Sequence, residues 1–312
     1  MKKFALIGYP IKHSLSPALF KEAFPSASEN QEPVQHEPMV YDLVEEPSID
    51  KSIARLKQEG YCGANVTSPF KESVMQFVTD PDPVTKTLGA TNLILFKDGR
   101  TYGYNTDYLA VRRMVREFKT CIEGFHKTGR NSVEVRNVEV ASRKVQHAAI
   151  VIGCGGAGKA AALACRDEGL DTIITNRTLS KAEGFAKAIS EQADKLSAKM
   201  TARKTSGRIK AVSIAEAKRL LEKLLGHKPD NTLALAIYAI PAPDGILSEI
   251  LKSCNQIQRE IRTPRERIPN SPDSRIRVIE ANYKDPCLNP ESGLKWLRYQ
   301  AECSFRLFKL KI

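Results

Sequence analysis

The chain has 312 residues, of which 42% are hydrophobic and 27% charged, and carries a formal net charge of +12. That length fits about two domains of roughly 150 residues each, with enough apolar content for a sizeable core, which excludes wholesale disorder. No apolar run approaches the roughly 18 residues that a membrane span needs, and seven cysteines without a CxxC pair or zinc spacing read as reduced thiols of a cytoplasmic protein, with no metal site.

The first apolar run stops at Gly8-Tyr9-Pro10, too short for a signal-peptide core, so Phe4–Ile7 reads as a strand. A helix follows over Pro17–Phe24, with Ser16 as N-cap and Pro17 at the first helical position. Val40–Leu43 is the next strand, Ile49–Gln58 a helix ending at Gly60, and Cys62–Val66 a third strand, with a helix expected from about Phe70. Leu93–Phe96 and Tyr102–Tyr104 flank Asp98-Gly99, a two-residue hairpin signal. A helix then runs from Asp107 to about Phe118.

After a stretch of weak pattern the alternation resumes. Strands are expected at His147–Ile152, Thr172–Thr175, Ala211–Ile214, Leu233–Ile237 and Val278–Ala281. Helices are expected at Gly158–Glu168, Ser180–Ser190, Ala215–Leu225 and Ile246–Ser253. This alternation is the pattern of an α/β protein with a parallel sheet. Leu294, Leu297, Ala301, Phe305 and Phe308 recur at helical spacing in an amphipathic helix over Gly293–Phe308.

The positive charge is concentrated in three segments, 119–147, 194–210 and 252–277, with net charges of +3, +5 and +4, so the rest of the chain is neutral. They read as surface loops or insertions that aid solubility and attract small anions. Nucleic-acid binding is disfavoured, because no helix-turn-helix, zinc-finger or aromatic stacking pattern accompanies the charge.

Gly153-Cys-Gly155-Gly156-Ala157-Gly158 matches G-x-G-x-x-G between a strand and a helix rich in alanine. The first glycine permits a tight turn, the second lets a pyrophosphate approach the backbone, and the third lets helix and strand pack closely. At the end of the next strand, where an NAD site carries a carboxylate, stand Asn176, Arg177 and Thr178. An arginine can fork onto a 2′-phosphate that a carboxylate would repel, so NADP is favoured over NAD. The cofactor-binding set is therefore Gly153, Gly155, Gly156, Ala157, Gly158, Asn176, Arg177, Thr178 and Lys181.

Three polar clusters lie at the ends of strands in the first half: Ser14-Leu-Ser16; Asn65-Val-Thr67-Ser-Pro-Phe-Lys71; and Gly89-Ala-Thr-Asn92 with Asn105-Thr-Asp107. Taken singly, Ser16 or Asn105 reads as a helix cap. Lys71 in the first turn of a helix would oppose the helix dipole, which points to another use for it. Together the clusters, the glycine turn, Asn-Arg-Thr and Gln300 resemble the shikimate dehydrogenase family over most of the chain.

The resemblance implies a two-domain α/β enzyme that reduces 3-dehydroshikimate to shikimate with NADPH, in the route to chorismate and the aromatic amino acids. It implies Lys71 and Asp107 as the catalytic pair, and Ser14, Ser16, Asn65, Thr67, Asn92, Tyr283 and Gln300 as substrate contacts. Tyr238 is expected beside the nicotinamide. The substrate domain is expected over 1–106 and 285–312, completed by the C-terminal helix. A Rossmann-like NADP-binding domain is expected over 107–284, so that the catalytic pair lies where the domains face each other. The protein is expected to be a monomer or homodimer acting on a small molecule.

The sequence also departs from the family. The usual Asn-Ala-Thr-Ser-x-Gly is here Tyr238-Ala-Ile-Pro-Ala-Pro-Asp-Gly245, Asp-x-x-Tyr is Glu280-Ala-Asn-Tyr283, and Gly-x-x-Met-Leu is Gly293-Leu-Lys-Trp296-Leu. The final helix also follows sooner than in the family. These differences leave two alternatives open: a dehydrogenase preferring quinate or NAD, and a weakly active binding or regulatory protein on the same fold.

Overall fold

The computed structural model describes residues 1–24, 38–128, 146–197, 207–226, 232–240, 276–284 and 289–311. It divides into two compact units, Met1–Ala110 with Lys295–Ile312, and Val111–Leu294. The sequence had the divisions after residues 106 and 284.

Unit 1 contains β1 (Lys2–Gly8), α1 (Ser16–Ala23), β2 (Met39–Glu45), α2 (Ile49–Gln58), β3 (Gly63–Val66), a 3₁₀ turn (Ser73–Phe77), β4 (Asp80–Pro81), α3 (Pro83–Leu88), β5 (Leu93–Lys97) and β6 (Arg100–Tyr104). Its sheet has the order β2-β1-β3-β5-β6-β4. It is mixed, not parallel throughout, because β3–β5 and β5–β6 pair antiparallel. The hairpin is the one Asp98-Gly99 signals: both residues have positive φ, 50° and 71°, the conformation a two-residue turn of this hand requires.

The strand alternation decides which side chains meet. On one face Phe4, Leu93 and Leu95 pack with Phe20 of α1 and with Ala301, Phe305 and Phe308 of the last helix. Phe4 stacks on Phe308 at 4.0 Å between centroids, and Phe20 meets Phe305 edge-on at 5.2 Å. On the other face Ala5, Ile7, Ala64 and Ile94 pack with Ile49, Ile53 and Leu56 of α2. The sheet is thus covered on both sides, and residues one apart in a strand belong to different layers.

Unit 2 contains β7 (Gln146–Ile152), α5 (Gly156–Asp167), β8 (Asp171–Thr175), α6 (Leu179–Ser197), β9 (Ile209–Ala211), α7 (Ile214–Gly226), β10 (Thr232–Tyr238) and β11 (Ile276–Glu280). Its sheet order is β11-β10-β7-β8-β9, and every pair is parallel. The chain leaves β7 in one direction and returns to its other side at β10, so the glycine turn after β7 sits where the strand order reverses. The small residues Ala160, Ala161, Ala162 and Ala164 of α5 are fully buried, which lets the helix approach the sheet closely. Two helices, α4 (Thr106–Thr128) and α8 (Pro290–Lys311), carry the chain from one unit to the other.

Several expectations are corrected. No helix begins at Phe70: the chain makes turns and then the 3₁₀ segment. Phe70 and Val74 are drawn into the core, and by Thr79 the backbone is already bonded to Thr101. Helix α1 begins at Ser16 itself, so Ser16 is not its cap. Strand β9 ends at Ala211, because Ser213 accepts the Glu216 N–H and starts α7. Helix α4 extends to Thr128, so the first basic segment opens as helix rather than loop. Likewise 194–197 closes α6, 209–210 lies in β9 and 276–277 in β11. Residues 146–147 open β7 and 207–208 lead into β9, while 129–145, 198–206 and 252–275, and the helix expected at 246–253, lie outside the described residues.

The sequence reading missed β4 and α3, although Asp82-Pro83 and Gly89 form a complete start and stop signal. Asp82 accepts the Thr85 N–H at 2.7 Å, and Gly89 ends the helix with φ 58°. Among the described residues no helix is long and apolar enough to cross a membrane.

Candidate active site

The centre of the unit 1 site is a charged pair. Lys71 leaves the loop after β3, and its Nζ donates to Asp107 Oδ2 at 2.6 Å. Because Lys71 is in no helix, the dipole conflict read from the sequence does not arise. Asp107 does lie in the first turn of a helix, where a negative charge is favoured. Its carboxylate side chain is only 3% exposed and that of Lys71 17%. The pair is therefore largely desolvated, and removing either partner would strand the other charge.

Two devices fix Asp107. Asn105, ahead of α4, accepts the Tyr108 N–H at 3.0 Å and donates to the Ala90 carbonyl, which caps the helix as its lone reading suggests. The Trp296 indole N–H donates to Asp107 Oδ1 at 2.9 Å.

Beside the pair runs a connected set of amides and hydroxyls. Asn92 donates to Gln300 Oε1 at 2.8 Å and accepts the Thr106 N–H at 2.7 Å. Thr106 meets the Ser304 hydroxyl at 3.1 Å, and Asn65 donates to that hydroxyl at 2.8 Å. Tyr41 donates to Asn65 Oδ1 at 2.9 Å. The structure thus brings together Asn65, Asn92 and Gln300 of the expected contacts, next to Lys71 and Asp107. Short polar groups held this way suit a ligand with several hydroxyls.

Ser14 and Ser16 form a smaller cluster before α1. The Ser14 hydroxyl donates to Ser16 Oγ and accepts the Ser16 N–H, both at 3.2 Å. Their loop is tied to the end of β2, where Glu45 Oε2 accepts the backbone N–H groups of Ile11 at 2.7 Å and Lys12 at 2.9 Å. The Ile11 bond is the main reason that the Glu45 carboxyl is held below its ordinary range. Thr67 lies partly buried on the neighbouring loop, with its N–H on the Ile7 carbonyl.

Sequence reasoning met Thr106 and Trp296 only inside motifs, without a role at the site, and missed Ser304. A signal existed: Trp296, Gln300 and Ser304 are spaced by four, so they form one stripe along α8. Reading only the apolar period of that helix hid it.

In unit 2, Gly153 has φ 106°, a conformation other residues rarely adopt, and a Cβ on Gly158 would overlap the Gly153 carbonyl oxygen. A Cβ on Gly155 would meet nothing, so the backbone there is open to an approaching ligand. Helix α5 starts at Gly156 and has no side-chain cap, which leaves its first N–H groups for an anion. Ala157 sits in that first turn, partly exposed.

The residues after β8 divide. Asn176 is spent on the turn itself: it accepts the Cys154 N–H at 3.1 Å and donates to the Thr178 carbonyl at 3.1 Å. Arg177, Thr178 and Lys181 are exposed. Tyr238 is a correction. Its side chain is 1% exposed and packs with Ile150, Ile152 and Leu221 in the unit 2 core, so it is not offered to a ligand. The strand alternation runs one residue further than expected and turns it inward. Tyr283 lies three residues beyond β11, half-buried.

Residues 6–94 match the family described as shikimate dehydrogenase substrate binding domain. A shikimate dehydrogenase (NADP(+)) of Carboxydothermus hydrogenoformans is 37% identical over 188 residues, 60% of this chain and 56% of the relative. One of Caldanaerobacter subterraneus is 35% identical over 192 residues, 61% of this chain and 59% of the relative. The chain thus spans less than two thirds of the length of these curated relatives. The crystal structure of the Thermus thermophilus shikimate 5-dehydrogenase, in complex with NADP(H) and shikimate, is similar with a TM-score of 0.59. That similarity comes at 22% identity and covers 99% of this chain and 93% of the other. Residues 6–94 thus match the shikimate dehydrogenase substrate binding domain family, and the chain as a whole shares the two-domain α/β fold of that crystal structure.

Proposed function

We propose that the chain is an NADP-dependent shikimate dehydrogenase, with unit 1 binding the substrate and unit 2 the cofactor. The observation that carries this reading is the buried Lys71–Asp107 pair at 2.6 Å, beside the amide and hydroxyl set of Asn65, Asn92 and Gln300. The glycine turn supports the cofactor half. Its open face at Gly155 and the uncapped start of α5 suit a pyrophosphate, and Arg177, with no carboxylate after β8, suits a 2′-phosphate.

NADPH, when bound, supplies the hydride. The protein's own residues deal with the oxygen that gains charge. The Lys71 ammonium stabilises negative charge on the former carbonyl oxygen and delivers a proton to it. Asp107 keeps the ammonium in place and in reverse can share the substrate hydroxyl's proton. Ser14 and Ser16, whose hydroxyls lie 3.2 Å apart before α1, are the clamp for the substrate carboxylate. Thr67 and Tyr283 complete the proposed contacts. Among the described residues Cys62, Cys154, Cys165 and Cys303 are in no disulfide, which agrees with work in a reducing compartment such as the cytoplasm.

The test is absorbance of the reduced nicotinamide on mixing the protein with shikimate or quinate and NADP⁺ or NAD⁺. Turnover with shikimate and NADP⁺ at least about tenfold above that with shikimate and NAD⁺ is expected, because a missing charge-assisted contact costs on the order of 1.5–3 kcal/mol. No turnover in any combination would leave a binding protein on the same fold.

A further inference from the structure

Trp296 is the chain's one tryptophan, and it is buried to 3% exposure against a carboxylate. Its indole N–H ends on Asp107 Oδ1 at 2.9 Å, while Lys71 holds Oδ2 of the same carboxylate at 2.6 Å. The two donors arrive on different oxygens from different parts of the fold: Lys71 from the loop after β3, Trp296 from α8, one helical turn before Gln300. An aspartate carboxylate turns easily about its last bond, since that torsion has broad wells. A donor fixed on one oxygen removes that freedom and sets the direction of the other. Indole is suited to this task, being a single N–H on a rigid ring that cannot ionise or offer an acceptor.

We propose that Trp296 is a positioning residue for the Lys71–Asp107 pair: by holding Oδ1 it aims Oδ2, and through it the Lys71 ammonium, at the reacting oxygen. The inference rests on the catalytic reading of the pair given above. Loss of the indole N–H should let the carboxylate turn and the ammonium shift, which affects the transition state more than the bound ground state.

Two measurements test it. In ¹⁵N-labelled protein the indole N–H gives a single cross-peak. It should exchange slowly with solvent and move towards the position of a free indole in Asp107→Ala. In kinetics, Trp296→Phe keeps an aromatic ring but no donor. Its kcat should fall about tenfold, with KM for shikimate within about twofold. In an Asp107→Ala background the same change should cost nothing further in kcat, because there is no carboxylate left to aim. An indole signal indifferent to Asp107, or losses that simply multiply in the double variant, would overturn the proposal. Normal turnover in Lys71→Ala would sink the catalytic reading and this inference with it, and would be recognised by an indole signal that still follows Asp107.

Discussion

In unit 2 the glycine turn is one uninterrupted run, Gly153–Gly158, and what it offers is backbone: a positive φ, an open face and the first N–H groups of α5. In unit 1 the polar site is made of side chains from distant parts of the chain. Asn65 and Ser304 are 239 positions apart, Asn92 and Gln300 208, and Asp107 and Trp296 189. A backbone site is set by which residues are small enough to let the chain turn. A side-chain site is set by how separate elements pack, so changes far from the ligand can spoil it.

The comparison breaks most sharply at Lys71. Lys71→Ala should lower kcat by about a hundredfold or more, with a much smaller change in substrate affinity, since charge develops on the oxygen only in the transition state. Steady-state kinetics with shikimate and NADP⁺ measure this. Near-normal turnover with a lowered melting temperature would make the pair a structural ion pair.

Arg177 tests the side-chain element that the unit 2 site adds to its backbone. Arg177→Ala should weaken NADP⁺ by about 1.5–3 kcal/mol and NAD⁺ far less. Titration calorimetry with both dinucleotides reads the difference, and equal weakening would assign Arg177 another task.

Gly158→Ala tests the backbone part alone. The added Cβ overlaps the Gly153 carbonyl, so α5 must shift from the turn. A loss of about 1–3 kcal/mol in stability is expected, with weaker NADP⁺ binding and an unchanged response of unit 1 to shikimate. Equal loss in both units by hydrogen exchange would show that they do not behave as separate bodies.

The smallest effect concerns Glu45. Its folded carboxyl titrates below its ordinary value of 4.5, chiefly through the Ile11 N–H. The tie it makes is therefore complete above that range and is lost as pH falls through the lowered value. The protection factors of the Ile11 and Lys12 amides, measured against the intrinsic exchange rate at each pH, should stay high at neutral pH and fall only in acid. Glu45→Gln should remove that acid dependence.

Legibility follows the same division. The glycine turn, the Asp98-Gly99 hairpin and α2 were readable because each is specified by neighbours in the sequence. Gly155, Gly156 and Gly158 stand at the expected turn, and α2 runs over the expected Ile49–Gln58. Tyr238 was misread because one further residue of strand sends its ring into the core instead of the loop. The helix expected at Phe70 failed because local propensity gave way to the need to bury Phe70 and Val74 and bring Thr79 to Thr101. Lys71 and Asp107 came from a family resemblance. The roles of Trp296 and Ser304 lay unread, because a polar stripe within an amphipathic helix has meaning only once the opposing surface is known.

The aromatic stack between Phe4 and Phe308 joins residues made at opposite times. On a ribosome adding about 5–20 residues per second, on the order of 15–60 s separate their synthesis. Through that interval this face of the first sheet has only α1 to cover it, and the part of Phe4, Leu93 and Leu95 that the last helix will bury stays open to chaperones or to other nascent chains. Unit 2 takes only the first turn of that helix, where Ser292 accepts the Glu280 N–H of β11, so its parallel sheet can close before the helix is finished.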